Sequence, residues 1–96
     1  FMLSTQQIGI IIDAMKPFNP TKIGIFGSVA RGESTAESDI DILYDFDSKF
    51  SLFDLAGLQM QLEKALKKEV DLIDFEAIHP KLKKHILSDV KMVYGG

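Results

Sequence analysis

The segment Gly27 to Leu43, GSVARGESTAESDIDIL, constrains this chain more than any other feature. It joins a sharp turn at the end of one apolar run to a second apolar run that opens on two carboxylates. Upstream, Lys22, Ile23, Gly24, Ile25 and Phe26 form a strand-like run that stops at Gly27-Ser28. Downstream, Ile40, Ile42, Leu43 and Tyr44 favour a strand and are bounded by the polar stretch Glu33 to Ser38. Residues two apart on a strand share a side, so Asp39 and Asp41 project together while Ile40, Ile42 and Tyr44 face the other way.

Two like charges about 4 Å apart repel by roughly 4 kcal/mol at a surface-like dielectric, so the pair calls for a counter-charge. A hard cation with oxygen ligands suits it. Magnesium is typically held by one or two carboxylates, with substrate phosphates completing its shell. At Gly27 the backbone can approach a phosphate closely, the Ser28 hydroxyl can donate to it, and a following helical turn aims N–H groups at the anion. Arg31, the chain's single arginine, is read as an ion pair bracing the loop onto the acidic strand or as a phosphate contact. A third carboxylate is needed if two metals are used. Asp71 is the candidate, because in Glu69, Val70, Asp71, Leu72, Ile73 it takes the face opposite Val70 and Leu72. A Gly-Ser turn alone reads as an ordinary connection, and a lone Asp-x-Asp as solvated edge charge. Their combination at this spacing points to phosphate and metal together.

The pattern Gly27-Ser28, ten residues, Asp39-Ile40-Asp41 and a later strand aspartate at Asp71 resembles the polymerase-beta nucleotidyltransferase superfamily. More narrowly, the segment is similar to the minimal nucleotidyltransferase (MNT) proteins, often the antitoxin half of HEPN/MNT toxin–antitoxin pairs. The resemblance implies ATP as substrate with two Mg2+ ions. Gly27 and Ser28 would sit at the terminal phosphates, and Asp39 and Asp41 would bind both metals. Asp71 would complete the second metal site and help deprotonate an acceptor hydroxyl that attacks the alpha-phosphate. It also implies a HEPN-type ribonuclease toxin as partner, modified on a hydroxyl, with tyrosine the expected acceptor, inside a hetero-oligomer. Two rival readings stand beside this one: a non-catalytic module that masks its partner stoichiometrically, and transfer to a small-molecule acceptor.

Ninety-six residues suffice for one domain with its own core, expected over 1–96, and leave little surface to enclose a small acceptor. Phe1 ahead of Met2 reads as a remnant, with Met2 the expected native start. The chain has no cysteine, which fits a reducing cytoplasm, and its apolar stretch Ile8 to Ile12 is too short to span a bilayer. A net charge of −3 gives no broad basic footprint for nucleic acid.

Ser4 and Gln7 form a capping-box pattern ahead of a helical face of Ile8, Ile11, Ile12 and Met15 that Pro17 stops. Ser51 is positioned to cap a helix with the stripe Leu55, Leu58, Leu62, Ala65 and Leu66, ending at Lys67-Lys68. Leu52 and Phe53 at its start are read either as core or as an exposed docking patch. Pro80 opens a short helix carrying Leu82, Ile86 and Leu87, and Val90 to Tyr94 reads as a last strand or a helical tail. His79 is expected in a loop, His85 on the margin of an apolar face, and Lys81, Lys83, Lys84 and Lys91 in a solvated basic cluster. The order predicts a small α/β (α+β) domain, a mixed sheet with helices on one face and the carboxylates on the other.

Overall fold

The structure, a computed structural model, describes residues 3–27 and 39–95. Helix α1 (Thr5–Met15) begins at Ser4, whose Oγ accepts the Gln7 N–H at 3.1 Å while Gln7 Oε1 accepts the Ser4 N–H at 2.8 Å. The two bonds satisfy two backbone donors that a helix start otherwise leaves to water. Pro17 lies in a 3-10 turn, Lys16–Phe18, and Asn19 reverses the chain in a left-handed conformation. Strand β1 (Pro20–Phe26) follows, then β2 (Ile40–Phe46), α2 (Leu52–Leu66), β3 (Val70–Asp74), a 3-10 turn at Phe75–Ala77, α3 (Pro80–Asp89) and β4 (Val90–Gly95). The segment left open between helix and strand is thus a strand. It pairs with β1 from Phe26↔Val90 to Lys22↔Gly95, and this partner is what decides its form.

The sheet order is β3-β2-β1-β4. Strands β1 and β2 are antiparallel, β1 and β4 are antiparallel, and β2 and β3 are parallel, joined through α2. The mixed sheet is the one expected. Ile23, Ile25, Ile40, Ile42, Tyr44 and Val70 turn one sheet face into the core, where they meet Ile11 and Met15 of α1 and Leu58, Leu62 and Leu66 of α2. Burial of such side chains, at roughly 25 cal/mol per Å² of apolar surface, is the main force holding the helices to the sheet. Phe18, Tyr44, Phe46 and Phe50 close one end of this core with ring centroids 4.4–6.2 Å apart.

Helix α2 departs from the expected stripe in one place. Ala65 is exposed, because the buried line runs Leu58, Leu62, Leu66 in steps of four and Ala65 falls beside it. Leu52 and Phe53 are 84% and 89% exposed, so they lie outside the core; with Met60, 70% exposed, they give α2 an apolar outer side.

The opposite sheet face is partly covered at one end. Lys22, which alternates with core-facing Ile23, holds its ammonium 4.7 Å from the centre of the Phe75 ring, and Lys83 of α3 lies 4.6 Å from the same ring. Lys83 also pairs with Glu76 at 3.8 Å. One member of the basic cluster is therefore engaged within the fold. His79 caps α3, its Nδ1 accepting the Lys81 N–H at 3.1 Å, and His85 is exposed. No helix among the described residues is long and apolar enough to cross a membrane.

Candidate active site

The parallel pairing of β2 and β3 sets the site. Its register is Ile40↔Val70, Asp41↔Asp71, Ile42↔Leu72. Ile40 and Val70 are fully buried, so alternation sends Asp41 and Asp71 side by side to the opposite face. The Ile40 N–H donates to the Glu69 carbonyl at 2.9 Å and fixes this register at the mouth of the sheet. Asp39 immediately precedes β2 and is exposed.

Asp71 and Asp39 both act on Asp41. The Asp41 carboxyl is pushed above its ordinary value of 3.8, first by burial, then by the charge of Asp71, by a side-chain hydrogen bond with Asp71, and by the charge of Asp39. Every cause acts in the same direction. A carboxyl beside two others, sharing a hydrogen bond with one, is in an environment that resists a further negative charge. The fold sets Asp41 beside Asp71, with Asp39 close enough to act on Asp41.

Gly27 is buried and follows β1 directly. Because Ile25 pairs with Ile42 in the antiparallel register, the end of β1 lies at the same edge of the sheet as the start of β2. Gly27 therefore sits at the carboxylate end. Ser28 and Arg31, expected at the phosphates and in the loop brace, lie outside the described residues.

Oxygen donors of this kind fit a hard divalent cation, which would relieve the repulsion that raises Asp41. Among the described residues no three carboxylate, imidazole or thiolate side chains converge as a ready-made metal cage. Magnesium does not require one, since a substrate triphosphate supplies much of its shell. Asp41 and Asp71, with Asp39 beside them, are the residues that would hold such an ion.

Two side chains at the site were missed from the sequence. Gln59 Nε2 donates to the Val70 carbonyl at 2.8 Å, and Glu63 Oε2 accepts the Val70 N–H at 3.0 Å. They stand four apart on α2 and grip the residue next to Asp71. Their i,i+4 spacing at the margin of the apolar stripe was the available signal, but only the β3 register shows what they hold.

The chain is similar to known proteins. Residues 10–96 match the family model Polymerase beta, Nucleotidyltransferase. Protein adenylyltransferase MntA of Thermococcus cleftensis is 36% identical over 97 residues, covering 96% of this chain and 98% of its own. The crystal structure of a toxin–antitoxin with AMP-PNP superposes with a TM-score of 0.79 at 25% identity, over 93% of this chain and 73% of that one. A Shewanella oneidensis complex of tri-AMPylated HEPN toxin with MNT antitoxin shares the fold at 21% identity, with a TM-score of 0.73 over 98% of this chain and 74% of that one. The fold, the paired strand aspartates and the family match converge, and the chain belongs to the polymerase-beta nucleotidyltransferase family.

Proposed function

We propose that this nucleotidyltransferase moves AMP from ATP onto a hydroxyl, a tyrosine in our reading, of a HEPN-type ribonuclease toxin, and so acts as the antitoxin of a cytoplasmic pair. The observation that carries the reading is the juxtaposition of Asp41 and Asp71 on adjacent parallel strands, with Asp39 close enough to act on Asp41. The similarity to MntA and to a toxin–antitoxin structure holding AMP-PNP supports the donor and the partner class.

Divalent cations, when bound, would neutralise the triphosphate and steady the leaving pyrophosphate. The chain's own residues do the rest. Asp39 and Asp41 would hold the ions, and Gly27 and Ser28 would receive the terminal phosphates. Asp71 draws off the proton of the acceptor hydroxyl. The new bond forms between the acceptor oxygen and the alpha-phosphorus, and the bond to the bridging oxygen breaks. Pyrophosphate leaves. An added AMP on a ribonuclease introduces bulk and negative charge, which is a sufficient means of silencing a site that binds RNA phosphates.

A second reading, stoichiometric masking, is favoured by one observation: Leu52, Phe53 and Met60 stand exposed along α2, the kind of apolar surface that marks a protein contact. Asp71→Ala separates the two. Catalytic silencing predicts that this variant, folded and still bound to its partner, loses transfer by about 100-fold or more, the usual scale for removing a general base, and no longer protects cells from the toxin. Full protection by Asp71→Ala would instead assign the antitoxin effect to masking.

A further inference from the structure

We infer that Gln59 and Glu63 are positioning residues that fix the direction in which Asp71 points; the inference rests on the metal-site reading of Asp71. Strand β3 is at the edge of the sheet, with β2 on one side only. Since the Glu69 carbonyl is turned toward β2, where it accepts from Ile40, the N–H and C=O of Val70 are turned outward. Both are taken by α2: the carbonyl by Gln59 Nε2 and the N–H by Glu63 Oε2. One turn of helix, which brings residues four apart to within about 5–6 Å, thus offers a donor and an acceptor matched to a single strand residue. The helix stands in for the missing neighbouring strand at one position.

That position matters because of peptide geometry. The Val70 carbonyl and the Asp71 N–H belong to one planar unit, so a bond that fixes the carbonyl fixes the backbone on the N-terminal side of Asp71. Packing cannot do this. The Val70 side chain is fully buried and anchors the strand in place, but an apolar anchor does not set the rotation of the adjoining peptide. Asp71 itself is exposed. The bracket also protects a strand edge from pairing with other chains. Edge protection alone would leave the metal dependence of the site unchanged, and on this point the two roles part.

The test uses the full chain with Mg2+ alone, followed by Mg2+ and alpha-labelled ATP. Gln59→Met removes the donor at similar volume, Glu63→Gln keeps an acceptor for the Val70 N–H, and Asp71→Asn reports on the site itself. Gln59→Met is expected to stay folded, to need about tenfold more Mg2+ for half-maximal transfer, as loss of a supporting contact to a metal ligand typically does, and to show a smaller Mg2+-induced rise in Tm. Glu63→Gln should resemble wild type in both. In the Asp71→Asn background, Gln59→Met should change Mg2+ dependence no further, because it acts through Asp71. A lowered Tm with unchanged Mg2+ dependence in Gln59→Met would overturn the inference and leave an edge latch. Normal Mg2+ binding and transfer by Asp71→Asn would overturn the reading of Asp71 first, and the inference with it.

Discussion

At the scale of single residues, Asp41 is where structure and chemistry are most tightly linked. Its raised carboxyl means that the metal-free fold holds the Asp41 proton more tightly than the unfolded chain does. The stability tied to this group is complete below the unfolded value of 3.8 and is lost as pH rises through the higher folded value. Asp41→Asn is neutral at every pH. In metal-free buffer it should therefore be more stable than wild type at neutral pH, and the difference should vanish in acid below 3.8. Solvent screens this half-open position, so the gain should be small, roughly 0.5 kcal/mol, seen as about 2–4 °C in Tm. Addition of Mg2+ should reverse the order, because binding stabilises only the variant that can bind. A wild type more stable than Asp41→Asn without metal would contradict the crowding of the three aspartates. All three were legible from the alternation of apolar and acidic residues in two short runs. Gln59 and Glu63 were not, because side-chain bonds to a strand backbone depend on where the crossover helix lands.

At the scale of elements, local chemistry was read well and long-range pairing was not. The Ser4 and Ser51 caps follow from short-range donors and acceptors, and both form, the second with Asp54 as its reciprocal partner at 2.9 Å. Substitution of a cap of this kind costs about 1 kcal/mol. The strand Val90–Gly95 was ambiguous because a short apolar run suits either form until β1 supplies a neighbour. The outer side of α2 was ambiguous because an apolar residue at a helix start carries no mark of which way it faces. Two glycines show how differently one residue type is used. A Cβ at Gly24 would overlap Val90 Cγ1, whereas one at Gly57 in α2 would meet nothing within 4 Å. Gly57→Ala should thus stabilise the protein by about 0.5–1 kcal/mol through helix propensity, and Gly24→Ala should destabilise it by about 1–3 kcal/mol through crowding of β4. Thermal denaturation of the pair checks both signs; a stabilising Gly24→Ala would mean that β4 is not packed against β1 as described.

At the scale of the whole molecule, the arrangement divides labour between two faces. One sheet face is consumed by α1 and α2 and supplies stability. The other presents Asp41 and Asp71 at the end where β1 stops at Gly27, while Phe75, Lys22 and Lys83 cover its far end. The fold class was legible because the motif fixes two strands and the second aspartate run a third. Parallel pairing of β2 and β3 then follows from the helix between them. Which side of α2 stays exposed was left open, since what it exposes depends on what the core takes. In the proposed function these carboxylates serve the transfer of a nucleotide to a protein. The most direct measurement is transfer of label from alpha-labelled ATP with Mg2+ into a lysate containing the protein encoded beside this one, comparing wild type with the double variant Asp39→Asn/Asp41→Asn. A labelled partner band with wild type and none with the variant is the predicted result. Equal labelling by both, or no label while both versions bind and silence the partner, would contradict it.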